Sequence, residues 1–178
     1  MKRRLTNLLR AFMRDDSGTA SMEFVMVVPL FFVLLLFSVE LGFVTLRATM
    51  LERGLDIAVR EIRLGTGTVP THDETKAIIC ERAIIITNCA EKLQLEMVPN
   101  DLRNYTALSD TPDCTDNTEP TKPVRAFIPG VENQLMVLRA CVKFEPIFPN
   151  AVLGAALAKD SSGEAAIVAT TAFVQEPL

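Results

Sequence analysis

Two glutamates lie inside or beside the most apolar stretch of the chain. The run from Phe24 to Leu46 contains one charged residue, Glu40, and Glu23 immediately precedes it. A carboxylate within or at the edge of a bilayer costs free energy unless it is paired, so both are candidates for charge pairing. Their separation corresponds to about 26 Å of helix, close to the hydrocarbon thickness of a membrane. Both could therefore also be solvated ends of a span, an interpretation that we favour for Glu40 and not for Glu23.

Little else in the sequence could catalyse a reaction. His72 is the only histidine, and no Ser/His/Asp set, glycine-rich phosphate loop or metal cluster accompanies it. The neighbouring acids Asp73 and Glu74 are expected to be first-turn charges that the helix dipole favours. We therefore expect His72 to be a surface residue, and we predict no enzymatic activity, no cofactor and no metal.

The four cysteines all follow the apolar run, and an even number in an exported region predicts disulfides with three possible connectivities. We favour Cys80–Cys89, closing a short loop beyond a helix, and Cys114–Cys141, joining a polar loop to a strand. Within one unbroken helix Cys80 and Cys89 would lie about 13 Å apart, too far to bond, so the pairing requires that helix to end near Ile86. A zinc site is the alternative, disfavoured by the lack of a CxxC motif and by the single histidine.

A single long helix must position the two glutamates. The run from Phe24 to Leu46 is long enough to cross a bilayer, which takes roughly 20 apolar residues. Helical periodicity continues beyond the run, in an apolar stripe expected to pack on the C-terminal domain: Leu51, Leu55, Ala58, Val59 and Ile62. We predict one helix from about Ala20 to Leu64, roughly 65 Å long, that ends at Gly65-Thr66-Gly67.

The distribution of charge predicts the orientation in the membrane. Residues 1–18 carry five basic and two acidic residues, whereas residues 64–178 carry nine basic and fifteen acidic ones. The positive-inside rule then puts the N-terminus in the cytoplasm and the C-terminal domain across the membrane. Residues 2–14 have the pattern of a basic amphipathic helix, and a cleavable secretory signal fits less well because no Ala-x-Ala site follows the apolar run. An acidic domain also argues against a nucleic-acid partner.

The sequence that follows the long helix predicts a small domain. A helix is expected over Pro70–Ile86, and residues 99–130, with five prolines, predict a long loop. Ala151–Ala158 predicts a short turn of helix or an apolar flap. Alternating and β-branched patterns predict three strands: Leu93–Val98, Leu135–Phe144 and Ala165–Val174. The predicted fold class is α+β, a long N-terminal membrane-spanning helix continuing into a small exported domain with an antiparallel sheet and disulfides.

The start of the helix resembles the class III signal of type IV pilins. Cleavage after Gly18 would leave Thr19 as the first residue and Glu23 as the fifth, directly ahead of the apolar helix. In that family the prepilin peptidase cuts after the glycine and leaves the helix attached. The new amino group on Thr19 could then neutralise Glu23 of a neighbouring subunit in a helix bundle, where either charge alone is costly.

More closely, residues 15–98 resemble the TadE/TadG family of the tight-adherence pilus system. The resemblance is carried by four features: Ala20–Leu30, Glu40–Phe43, Ala58–Gly65 and the Cys80, Cys89 pair. It implies a minor pilin-like subunit, a pseudopilin, that acts in pilus initiation or assembly and in surface adhesion. The implied partners are the prepilin peptidase, other pilin and minor pilin subunits, the inner-membrane assembly platform and the lipid bilayer.

These expectations divide the chain into three parts. They are a basic amphipathic leader (1–18), a pilin-like helix (19–64) with its span at about 24–46, and a periplasmic or extracellular α+β domain (65–178) containing the 99–130 loop. Pro29, inside the span, is expected to kink the helix, which could aid packing in a filament, although an ordinary membrane helix also tolerates proline.

The alternative function is an unprocessed single-pass inner-membrane protein. Its periplasmic domain would bind a partner in an envelope assembly. This alternative predicts an intact N-terminus and a dispensable Glu23.

Overall fold

The computed structural model describes residues 19–64, 70–101, 103–105, 108–112, 114 and 126–177. The basic leader, the glycines at 65–67 and part of the 99–130 loop lie outside these residues. The described part contains these elements in chain order: α1 (Thr19–Leu64), α2 (His72–Arg82), α3 (Cys89–Lys92), β1 (Leu93–Asn100), β2 (Leu135–Phe144), α4 (Val152–Ala156) and β3 (Ala165–Val174). The predicted fold class is confirmed, with the long apolar helix, a three-stranded antiparallel sheet and two disulfides.

The two halves of α1 have different surroundings. Its N-terminal half is exposed on nearly all sides, and it is long and apolar enough to cross a membrane. This is consistent with a single-pass membrane protein. From Glu40 onward one face of α1 is covered by the domain, and the predicted stripe is its buried face: Leu51, Leu55, Ala58, Val59 and Ile62. The apolar stripe therefore holds the helix to the domain by burial.

The sheet has the order β1-β2-β3 with β2 in the middle. Ala140 at the centre of β2 faces Leu95 of β1 and Ala169 of β3. The face that these residues share joins the core that contains the α1 stripe. Strand β2 is buried on its other face as well, where Arg139, Cys141 and Lys143 lie, so the sheet is covered on both sides at its centre.

Helix α2 is shorter than the Pro70–Ile86 segment predicted for it. A capping box starts it, in which the Thr71 hydroxyl accepts from the Glu74 backbone N–H and the Glu74 carboxylate accepts from the Thr71 N–H. At the other end the backbone of Ala83 leaves helical geometry (φ −91°, ψ 48°). The helix therefore ends before Ile86, and the chain turns back towards α3.

Gly54 allows α1 and α2 to approach closely. A Cβ built on Gly54 would lie 2.8 Å from the carbonyl oxygen of Ile79, whereas one on Gly42 would meet nothing within 4 Å. Gly54→Ala is expected to lower the free energy of unfolding relative to Gly42→Ala by about 1–3 kcal/mol, because the backbone of α2 must move away. Gly42→Ala introduces no such clash, so its only expected effect is the higher helix propensity of alanine. Urea unfolding of both full-length variants in detergent measures the difference, and equal stabilities would show that this contact is not tight.

Candidate functional site

Glu40 is the charged residue that joins the apolar helix to the domain. Its side chain is only 1% exposed. One carboxylate oxygen accepts from the backbone N–H of Phe148 at 2.9 Å and the other from that of Ile147 at 3.2 Å. Hydrogen bonds to a carboxylate are stronger than those between neutral groups, and these two offset the cost of burying the charge.

The turn that binds Glu40 is shaped by its neighbours. The buried Pro146 precedes the two donating N–H groups and Pro149 follows them. Gly154 of α4 lies so close to the turn that a Cβ on it would be 2.2 Å from the Phe148 carbonyl oxygen. Helix α4 therefore packs directly against the turn whose two N–H groups bind Glu40. We call Glu40 together with residues 146–149 the Glu40 clamp.

The clamp corrects the interpretation of Glu40 as a solvated end of the span. The carboxylate is enclosed because the domain folds back onto α1 at this level. Its partners lie more than a hundred residues further along the chain, so local pattern could not reveal them. Two features of the sequence could have indicated this site. One is the single charge inside an otherwise apolar run, and the other is the pair of prolines, Pro146 and Pro149, on either side of an apolar dipeptide.

Further contacts attach α1 to the domain along its length. The Arg47 guanidinium lies over the Phe144 ring, 4.9 Å from its centroid. Near the end of the helix, the Gln175 amide donates to the Ile62 carbonyl oxygen at 3.1 Å, and Arg63 pairs with Glu176 at 2.9 Å. These contacts join α1 to the end of β2 near Arg47 and to the residues that follow β3 near Ile62 and Arg63. Sequence analysis did not identify these pairings.

Glu23 differs from Glu40 in its surroundings. It is exposed in the first turns of α1 and forms no hydrogen bond or ion pair with any residue in the described part of the chain. Thr19 is the first residue of α1, whereas Gly18 lies outside the described residues. Pro29 lies within α1, which continues through it as a helix. Cleavage after Gly18, charge pairing by Glu23 and a kink at Pro29 remain predictions.

The four cysteines form two disulfides in the connectivity favoured above. Cys80 of α2 bonds to Cys89 of α3 with their Cα atoms 5.6 Å apart, which a continuous helix would not allow. Cys114 bonds to Cys141 of β2 with a Cα separation of 5.2 Å. All four sulfurs are used in these bonds, so the cysteines are not ligands of a zinc ion.

Ion pairs cover the outer face of the sheet. Arg139 on β2 binds the Glu96 carboxylate of β1 and donates to the Ser109 carbonyl oxygen at 2.7 Å. Lys143 pairs with Asp160 at 2.6 Å. Burial raises the pKa of Asp160, but hydrogen bonds from Lys143, Ser162 and the Glu164 backbone outweigh it and hold this pKa well below its usual range. On this face, the charged side chains of Arg139 and Lys143 are therefore paired with acidic groups of the same chain.

His72 was predicted to be a surface residue, and in the structure it is partly buried. Its side chain is 20% exposed, and its ring packs edge-on against Phe127 with the centroids 5.3 Å apart. Its Nδ1 lies 3.0 Å from a carboxylate oxygen of Asp73. The covering residue comes from the end of the 99–130 loop, which sequence pattern could not place. His72 is thus part of the packing between α2 and that loop.

The part of α1 that carries Glu23, Pro29 and Glu40 also carries a family signature. Neither a curated protein nor a solved structure matches the chain. Residues 18–60, which include almost all of α1, match the family model described as TadE-like protein, and this confirms over that segment the resemblance drawn from the sequence.

Proposed function

We propose that this protein is a minor pilin-like subunit, a pseudopilin, of a tight-adherence pilus. In this proposal a prepilin peptidase cleaves after Gly18, and the mature chain takes part in pilus initiation and assembly and in surface adhesion. The family match over residues 18–60 supports an association with such pili, since that segment holds two of the four features on which the resemblance depends, Ala20–Leu30 and Glu40–Phe43. The proposed role is structural, with other pilin subunits and the inner-membrane assembly platform as partners.

The observation that carries the proposal is the contrast between the two glutamates. Glu40 is enclosed and its charge is satisfied by backbone donors of the same chain. Glu23 is exposed and has no partner in the described part of the chain. A carboxylate at the edge of an apolar helix is stabilised by a positive charge from another molecule. The amino group of a processed Thr19 on a neighbouring subunit would be such a charge.

The proposed orientation places residues 1–18 in the cytoplasm and the domain in the periplasm. The excess of basic residues before the span supports it. The two disulfides support it too, because such bonds persist in the bacterial periplasm and are rare in the cytosol.

The experiment that tests processing is N-terminal sequencing of the protein purified from its native membranes. We expect the mature chain to begin at Thr19. An intact terminus at Met1 or Lys2 would contradict the proposal and favour the unprocessed anchored protein that binds a partner in an envelope assembly.

Glu23→Ala is expected to abolish or strongly reduce surface pili while the protein still inserts into the membrane, because the charge partner of the neighbouring subunit is lost. Electron microscopy and sheared-pilus preparations measure piliation, and membrane fractionation measures insertion. Glu52→Ala is the matched control, since Glu52 is an exposed glutamate further along the same helix. Normal piliation in the Glu23→Ala strain would contradict the assembly role of this residue.

A further inference from the structure

We infer that residues 146–158, which we call the 146–158 segment, lie in the interfacial layer of the bilayer and contact lipid acyl chains there. This inference rests on the membrane placement of α1 in the proposed function. It adds a second membrane-contacting element, supplied by the domain itself.

The first step concerns depth. A helix that enters the hydrocarbon near Phe24 and rises 1.5 Å per residue leaves it after roughly 20 residues, near Phe43. Glu40 therefore lies within about one helical turn of the outer boundary of the hydrocarbon. The backbone N–H groups of Ile147 and Phe148 are hydrogen-bonded to the Glu40 carboxylate. The turn at 146–149 is consequently fixed at the same depth, and α4 stays beside it because Gly154 packs against the Phe148 carbonyl.

The second step concerns composition. From Pro146 to Ala158 the chain has no charged residue, and Glu145 and Lys159 flank this stretch. Ile147 is 40% exposed and Val152 is 56% exposed. At the same level of α1, Leu41 and Phe43 are also exposed. Together these side chains extend the lipid-facing surface of the span onto the domain.

The third step concerns the backbone, because unpaired N–H groups are costly where water is scarce. Pro146 and Pro149 have no N–H group, and those of Ile147 and Phe148 are bound to Glu40. Further donors are used within the segment: the N–H groups of Ala151, Ala155 and Leu157 donate to carbonyl oxygens of the segment itself. The side chain of Lys159 donates to the Pro149 carbonyl oxygen at 2.7 Å. These hydrogen bonds lower the cost of placing the segment in a poorly hydrated layer, and the first-turn N–H groups of α4, which have no side-chain cap, are left to the headgroups and water of that layer.

The protein contains no tryptophan, so a single introduced tryptophan reports its own surroundings. The test uses full-length Val152→Trp in phosphatidylcholine vesicles whose acyl chains are brominated near the headgroup. We expect a blue-shifted emission and a loss of at least about half of the fluorescence relative to unbrominated vesicles, since the side chain contacts lipid. Ile147→Trp, on the same surface, repeats the measurement should Val152→Trp fold poorly.

Two control positions separate the possible failures. Leu34→Trp replaces a residue near the middle of the span that is 60% exposed, so it is measured in vesicles whose acyl chains are brominated near their methyl ends. Val174→Trp replaces a residue at the far end of β3 that is 45% exposed and is measured in both kinds of vesicle. Quenching at positions 152 and 34 but not at 174 supports the inference. Quenching at 34 alone overturns it and leaves the membrane placement of α1 intact. Failure of quenching at position 34 overturns the membrane placement and the inference together.

Discussion

Replacing Glu40 by glutamine is expected to lower the free energy of unfolding by about 2–4 kcal/mol. The amide keeps the volume of the carboxylate, but only one of its two polar atoms can accept. Its NH₂ group would then face one of the two N–H groups of the turn, which now lie 2.9 and 3.2 Å from the carboxylate oxygens. That N–H group would lose its partner in a site with almost no exposure to water, and this accounts for most of the expected loss.

Urea unfolding of the full-length protein in detergent measures this loss, and hydrogen exchange locates it. The amides of Ile147 and Phe148 should exchange faster in Glu40→Gln, whereas those in the middle of β2 should change only as far as global stability falls. Glu52→Gln makes the same change of charge at an exposed position of α1 and is expected to be nearly neutral. Equal stabilities of the two variants would rule out the clamp as an energetic link between helix and domain.

Removing the Cys114–Cys141 disulfide is expected to cost about 3.6 kcal/mol, against about 2.6 kcal/mol for Cys80–Cys89, because the constraint on the unfolded chain grows with loop length. The bonded cysteines are 27 and 9 residues apart in sequence, respectively. The longer bridge also holds the 99–130 loop against β2. One variant has both cysteines of the first bridge replaced by serine, and the other has both cysteines of the second bridge replaced. The free energy of unfolding of the two variants is compared under non-reducing conditions.

The order of the two effects is the informative result. Each double-serine variant serves as the other's control, since the two changes are chemically identical. A larger loss for the Cys80–Cys89 variant would contradict the loop-length argument. It would mean that this short bridge acts chiefly in the native state, by holding α2 and α3 together where the chain turns between them.

Elements with strong local patterns were predictable from the sequence. The bounds of β2 and β3 agree with the segments predicted from their apolar and β-branched residues, and α1 begins one residue before the predicted Ala20. The buried stripe that includes Leu51 and Leu55 followed from helical spacing. These properties depend on residues close together in the chain, where spacing alone determines which side faces the core.

What could not be predicted depends on contacts between distant residues. The partners of Glu40 are 107 and 108 residues away, and the cover of His72 comes from Phe127. Strand β1 reaches Asn100, past Pro99, because its whole length pairs with β2. Around the candidate site, the sequence indicated which charge was unusual, but the fold determines that the charge of Glu40 is satisfied within the chain.

The continuity of α1 has a mechanical consequence. The helix runs without a break from Thr19 to Leu64, so its exposed apolar half and the half that packs on the domain share one helical backbone. A force that draws the helix along its axis is transmitted directly to the domain, and the Glu40 clamp and the apolar stripe carry the shear. The helix and the domain are therefore expected to move together, so that a tilt of the helix also reorients the domain.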